Sequence, residues 1–399
     1  MRPDLQSEFN TRVTDQSYTA LVTSLERRLG IPIEFRICEM PIIISSGFAQ
    51  EMQQAAQQII MESVSPENIL RSKATLQSRY TVPRENDRPL FSVVDFAVTV
   101  DSDGRFVPKL IELQGFPSLF GYQWVLMSEF TKAYHLYGSP FLSGLDEGAY
   151  RSLLTTSIFG ECDPSEVALV EIDPESQKTR PDFLAMKELI GLQTINIRDI
   201  TTQGRSMVFR DETGRLRPLR RIFNRAIIDE LDEMGVELGF SWNDDLDVEW
   251  AGHPNWYFRI SKFLLPHLRH SAAPRSLLLT QVDQLQDSRV DEIIATSVLK
   301  PLYAFAGKGV NVHPTRSDVD AVPHDERSGW ILQEKVHYAP CVPTPQGNNF
   351  VEIRIMLIWP ETAEAPLPVI TLARTGRGAL MGARYNLQPW TGSSGCLIE

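Results

Sequence analysis

Two stretches of this sequence hold the residue types that chemistry needs. The first is Lys300 to Val310, KPLYAFAGKGV. Gly307 and Gly309 strip the loop of side-chain bulk, so its backbone N–H groups can close onto a polyanion. Lys300 and Lys308 each bring a point charge suited to phosphate. The spacing is not that of a Walker loop, and no GxGxxG is present. A glycine-rich turn with two solvated lysines is the competing reading. The second stretch is 91–123, where Asp95 stands before, and Glu112-Leu113-Gln114 after, an Asp101-Ser-Asp-Gly104 hairpin turn. Pairing Phe91–Val100 with Phe106–Leu113 across that turn brings Asp95 close to Glu112 and Gln114. Two carboxylates and an amide oxygen suit Mg²⁺, a hard cation that takes a few oxygen ligands plus substrate phosphates. The alternative is a surface hairpin whose acids face water, but Glu112 sits in the apolar segment LIELQGF, where a solvated acid is not expected.

The elements that must position these residues follow from periodicity and turn signals. Residues 1–90 read as mainly helical, with helices at Ser17–Leu29, closed by Gly30, and Ala49–Met61. Ile33–Ile44 between them is extended. After the hairpin, Tyr122–Tyr137 reads as a helix, and a composition shift near Gly160 marks a boundary. Residues 166–250 read as an α/β unit: strand Val167–Ile172, helix Arg180–Ile190, strand Thr194–Ile197, strand Met207–Phe209 and strand Ile222–Phe223. Strand exits in α/β sheets are where ligands bind. Asn224 and Arg225, at such an exit, are candidates for gripping a substrate carboxylate, the planar fork of Arg225 matching two oxygens. A helix-capping Asn and a surface Arg fit the same residues. The acidic stretch Glu230–Glu249 reads as a solvated face. In 251–399, Phe258–Leu268 is apolar and helix-like, with Lys262 inside it. The run Ile293–Leu299 reads as a strand into Lys300-Pro301, with Val310–Val312 as the strand after the loop. Trp330–Val336 and Phe350–Trp359 are further strands, the latter with Glu352 and Arg354 on one face. Val369–Ala373 leads into Arg374.

Composition bounds the classes. The chain has 399 residues, 42% hydrophobic and 23% charged, with a net charge of −12. These values are ordinary for a globular protein, and the acidic balance argues against a general nucleic-acid surface. Polyanion binding in such a chain requires a local concentration of positive charge. No apolar run is long enough for a membrane span, and residues 1–30 lack the apolar stretch of a secretory signal. The 4 cysteines, Cys38, Cys162, Cys341 and Cys396, form no CxxC. A reduced, cytoplasmic setting without disulfides or zinc is expected. Neither GxSxG nor HExxH occurs and the histidines are scattered, which disfavours a triad hydrolase.

Taken together, Lys-Pro with a glycine-rich loop and the strand LQEKV resemble the ATP-clamp half of the ATP-grasp fold. The metal-binding acids that normally follow are placed instead near the N-terminus, as Asp95 and Glu112-Leu-Gln114. That order resembles the circularly permuted ATP-grasp proteins related to the synthetase domain of glutathionylspermidine synthase. Gln114 stands where that family has Asn. Lys308 stands in a loop where the family has an arginine, and the family's amidase domain is absent. The resemblance covers about residues 90–125 and 165–395. It implies an α/β (α+β), circularly permuted ATP-grasp fold with a preceding α/β substrate-binding unit (166–250) and a helical N-terminal region (1–90). The hairpin and helix of 91–165 would complete a core whose clamp is 251–399. It further implies that Lys262 and Lys300 bind ATP, that the main chain from Gln333 through Glu334 and Lys335 to Val336 reads the adenine edge, and that Glu334 holds ribose. Gly307, Lys308 and Gly309 would cover the phosphates, while Asp95, Glu112 and Gln114 hold Mg²⁺. The implied reaction is ATP-dependent joining of a small-molecule carboxylate and an amine through an acyl phosphate, with Lys300, Lys308 and Arg374 supplying positive charge. No nucleic acid or membrane is expected as a partner. A small-molecule kinase and a non-catalytic ATP-binding module are the competing classes.

Overall fold

The structure is a computed structural model of the chain and describes every residue except 212, 303–308, 379, 383 and 384. Alternation in residues 91–114 builds the expected hairpin. The Asp101 carboxylate accepts the amides of Asp103 and Arg105, and Gly104 turns the chain at φ 79°, a left-handed conformation that costs glycine little. Its strands, Phe91–Val100 and Phe106–Gln114, are antiparallel with Asp95 opposite Glu112.

The hairpin lies within a larger sheet. Phe91–Val100 pairs on its other edge with Phe350–Ile358, which pairs with Leu367–Gly376, and that strand with Gly392–Ser394. The result is a 5-stranded antiparallel sheet. One face is covered by the helix Ser46–Ser63, whose Phe48, Met52 and Ile59 share a core with Val94, Phe96, Ile353 and Ile355. The opposite face is divided along its strands. Phe91, Val93, Met356, Ile358, Ile370 and Leu372 pack in the core that holds helix Phe120–Tyr134. Their period-two neighbours on the same strands are Asp95, Arg354, Glu352 and Arg374. This face is therefore apolar at one end and charged at the other.

A second, 3-stranded antiparallel sheet joins Ser276–Leu278, Trp330–Glu334 and Ser297–Pro301. A third unit is a 4-stranded parallel sheet of Glu249–Ala251, Arg221–Asn224, Val167–Glu171 and Gln193–Asn196. Helix Arg180–Ile190 links its last two members, the right connection for parallel strands. The strand Ser206–Arg210 leaves this sheet and forms a separate small meander with 201–203 and 216–218.

Several local expectations change. The apolar run Ile293–Leu299 is split: Val290 and Ile294 are buried at helical spacing, so the helix Asp287–Ala295 claims its first half and the strand starts at Ser297. No strand forms over 310–312, where Asn311 makes only an isolated pairing with Leu299. The stretch 258–268 is broken at the extended residues Ile260 and Ser261 into a short helix Asn255–Arg259 and a 3-10 segment Lys262–His267. Helix Asp15–Leu29 starts on a Thr14 capping box and ends at left-handed Gly30. Of the extended stretch 33–44, only Ile42–Ile44 is a strand, parallel to Cys396–Ile398. Among the described residues no helix is long and apolar enough to cross a membrane.

Candidate functional site

Charged side chains gather where the charged half of the central sheet adjoins the small sheet. Arg354 grips Asp95 with both arms of its guanidinium, Nε to Oδ1 at 2.5 Å and Nη2 to Oδ2 at 2.6 Å. The register makes this possible, because Arg354 lies directly across from Asp95. Arg374 lies across from Glu352 on the next strand. Its Nη1 donates to Glu352 Oε1 at 2.6 Å and to Asp95 Oδ2 at 3.4 Å. Tyr338 donates its hydroxyl to the other Glu352 oxygen at 3.0 Å. The Asp95 and Arg354 side chains are only 2% and 6% exposed, whereas Arg374 is 24% exposed. Burial alone would push the Asp95 carboxyl up, but Arg354 and Arg374 hold it below the ordinary carboxylate range. Glu352 goes the other way: burial pushes its carboxyl up despite Arg374.

Lys300 and Lys262 complete the cluster. Lys300 lies on an outer strand of the small sheet, opposite Ile331, and its Nζ donates to Gln333 Oε1 at 2.5 Å. Burial lowers its amine to about 8, with Lys262 adding to the effect and Glu112 and Glu352 opposing it. Lys262 Nζ stands 3.4 Å from Glu112 Oε1. Gln333 is buried, and its Nε2 has no hydrogen-bond partner among the described residues. A buried donor without a partner calls for an acceptor. Cations outnumber carboxylates here, Lys262, Lys300, Arg354 and Arg374 against Asp95, Glu112 and Glu352. In a chain of net charge −12, that is a local positive surplus, as an anion site requires.

The nucleotide residues proposed from sequence divide in three. Lys262, Lys300 and Gln333 come together as described. Gly307 and Lys308 lie outside the described residues, while Gly309, at φ 72°, is close enough to Pro301 that a Cβ would come within 3.0 Å of its Cγ. The amides of Glu334 and Lys335 are already engaged by the carbonyls of Arg275 and Thr296, so an adenine edge would meet the chain beyond them, at Val336. Glu334 is exposed, accepting from the Arg275 amide at 3.3 Å, and Lys335 Nζ lies 3.3 Å from His313 Nδ1.

The Mg²⁺ trio does not fit as drawn. Glu112 and Gln114 are half-buried along one strand, Glu112 with Lys262 Nζ 3.4 Å from its Oε1. Asp95 is not available, because guanidinium donors occupy both of its oxygens. Like charges about 4 Å apart repel by about 4 kcal/mol at an effective dielectric constant of 20, and a dication beside two guanidinium groups multiplies that figure.

The substrate pair also needs correction. Arg225 is neither on the surface nor open to a ligand: its side chain is 4% exposed, its Nη1 donates to the Pro117 carbonyl at 2.6 Å, and it lies 3.4 Å from Asp182 Oδ2. Its guanidinium also lies over the rings of Phe116 and Phe183. Asp182 in turn accepts the amides of Leu119 and Tyr122. Arg225 thus ties the parallel sheet to the chain leaving the hairpin. The Asn224 amide is folded onto Ala226, donating to its carbonyl at 3.0 Å.

No family model and no curated protein sequence matches this chain. Among solved structures, a glutathione synthetase-like effector from Globodera pallida, determined in its apo form, is similar with a TM-score of 0.58 at 11% identity, over 100% of this chain and 98% of that one. At that identity the likeness is one of fold. The chain has a mixed α/β, glutathione synthetase-like fold.

Reading residue types along the chain missed Arg354 and Tyr338 as members of the site. The available signal was the Glu352-x-Arg354 alternation within an apolar strand, since two charges on one face of such a strand must find partners. Outside this cluster, burial pushes the carboxyl of Glu171, at the end of the parallel strand Val167–Glu171, up to about 7.

Proposed function

We propose that this chain is an ATP-dependent ligase joining a small-molecule carboxylate to an amine through an acyl phosphate, on an ATP-grasp core in circularly permuted order. The observation that carries the proposal is the surplus of cations around Lys300, between two antiparallel sheets of an otherwise acidic protein. The pairing of 91–114 with 350–376 supports the permuted order, because the Asp95 hairpin comes early in sequence yet sits beside the late strands.

ATP, when bound, supplies the phosphoryl group that activates the carboxylate. The protein's part is positioning and charge neutralisation, with no covalent nucleophile. Lys300 and Arg374 meet phosphate oxygens, Gln333 Nε2 offers its unpartnered donor, and the chain at Val336 takes the adenine edge. Gly307, Lys308 and Gly309 are the proposed cover over the phosphates. The cover also keeps water from the acyl phosphate until the amine arrives.

The test is trapping. The protein is incubated with ATP, a panel of carboxylates and hydroxylamine, and the products are read by mass. A hydroxamate formed with stoichiometric ADP supports the ligase. ADP with a stable phosphorylated product would move the assignment to a kinase, and nucleotide binding without any turnover would make the chain a binding module.

A further inference from the structure

Asp95 occupies the position at which the ligase reading expects a metal ligand, yet it is engaged as a counter-ion. An ionised carboxylate offers about four lone-pair sites. Arg354 takes one site on each oxygen at 2.5 and 2.6 Å, and Arg374 takes a third at 3.4 Å. The two arginines are not equivalent. Arg354 is sealed at 6% exposure, with both of its contacting nitrogens on Asp95. Arg374, at 24% exposure, makes its contacts to Asp95 and Glu352 through Nη1 alone. Glu352 is fixed from its other oxygen by the Tyr338 hydroxyl. Three neighbouring strands thus hold one end of a guanidinium whose side chain remains 24% exposed. A planar fork held in this way recognises two oxygens of a phosphate or acyl phosphate, which a lysine cannot do.

We propose that Asp95 is a positioning residue that orients Arg374 toward an oxyanion, and that it does not ligate a divalent metal. The proposal rests on the phosphate-binding part of the ligase reading and replaces that reading's expectation for Asp95. Arg354 fixes Asp95, Asp95 and Glu352 together fix Arg374, and Arg374 meets the anion.

The experiment uses the full chain and two probes, tripolyphosphate and Mn²⁺. Tripolyphosphate binding is measured by calorimetry in EDTA and in excess Mg²⁺, and Mn²⁺ binding by the loss of its free EPR signal. Wild-type protein is expected to bind tripolyphosphate in EDTA within about threefold of its affinity in Mg²⁺; a strict requirement for metal that is lost in Asp95→Asn would overturn the proposal. Asp95→Asn and Arg374→Gln are each expected to weaken tripolyphosphate about tenfold or more, as for loss of a charged hydrogen bond. The double variant should be no weaker than Arg374→Gln alone, because Asp95 acts through Arg374. The Mn²⁺ isotherm should be the same for wild type and Asp95→Asn. Additive losses, or a tenfold fall in Mn²⁺ affinity in Asp95→Asn, would overturn the assignment. If Asp95→Asn fails to fold, Arg374→Lys serves: it keeps the charge but loses the fork, and retention of full tripolyphosphate affinity would count against the proposal. ADP separates the two readings. Tripolyphosphate binding with no ADP binding removes the ATP reading and leaves this one. ADP binding that depends on a metal at Asp95 does the reverse.

Discussion

Replacing Lys300 by methionine removes the amine whose protonation the fold has made labile. Burial lowers that amine to about 8 from 10.5, and the neighbouring Lys262 lowers it further. With such a value it is about nine-tenths charged at pH 7 and about one-tenth charged at pH 9. If only the charged amine receives phosphate, ADP affinity falls about tenfold between pH 7 and pH 9, and binding at pH 8 takes up about half a proton. The terminal phosphate, with its last pKa near 6, is already ionised over this range and adds little to the slope. Calorimetry at pH 7, 8 and 9, in buffers of different ionisation enthalpy, reads both the affinity and the proton uptake. Lys300→Met should bind ADP at least about tenfold more weakly at pH 7 and show a flat profile. The same change should stabilise the free protein. Between about pH 8 and 10.5 the unfolded state binds more protons than the native state, so stability rises with pH across that window. Below it, the charged lysine costs up to about 3 kcal/mol, a cost that Lys300→Met escapes. An ADP affinity constant from pH 7 to 9, or an unchanged slope in Lys300→Met, would refute the assignment of Lys300 to phosphate.

Arg354→Met leaves a buried carboxylate with only the longer contact to Arg374, and should destabilise the fold by about 3–5 kcal/mol in urea unfolding; a loss below about 1 kcal/mol would show that the pair is not structural. Glu171 is 7% exposed, and burial raises its carboxyl to about 7. Its native state therefore binds more protons than the unfolded state between about pH 4.5 and 7, and stability falls as pH rises through that window. Glu171→Gln should gain up to about 3 kcal/mol at pH 8 and nothing at pH 4, measured by denaturant titration at both values. A Cβ on Gly115 would stand 2.5 Å from the Trp256 carbonyl oxygen. Gly115→Ala should cost about 1–3 kcal/mol and weaken ADP binding through the displaced Glu112–Gln114 strand end. Wild-type stability and binding in that variant would mean that the contact yields freely.

Much of the local structure was legible from residue order. The Asp-Gly turn with alternating apolar residues on either side specifies a hairpin; counting across it puts Ile111 opposite Asp95, and only the register shift between Asp95 and Phe96 brings Glu112 there. Gly30 marks the end of a helix for equally local reasons, while the Thr14 capping box starts that helix two residues before Ser17. The parallel strands and the helix Arg180–Ile190 were readable as a compact α/β unit, because their apolar runs and turns recur at short range. Where local signals competed, one of them prevailed: Val290 and Ile294 at helical spacing drew Ile293 into a helix, although the run containing it also suits a strand.

The chemistry of the charged residues depended on long-range pairing. An aspartate on a β-strand near a glutamate is as good a metal ligand as it is a counter-ion, and nothing local to Asp95 separates the two. The partner that decides between them, Arg354, lies 259 residues further along the chain. Arg225 shows the same dependence: residue type and strand exit suggest an open fork, while Pro117, Asp182 and two aromatic rings close it. Periodicity determines which face of a strand a side chain occupies. Only tertiary pairing determines what stands opposite, because strand register between distant segments is set by the burial of their apolar faces and not by the charged residues that the register then brings together.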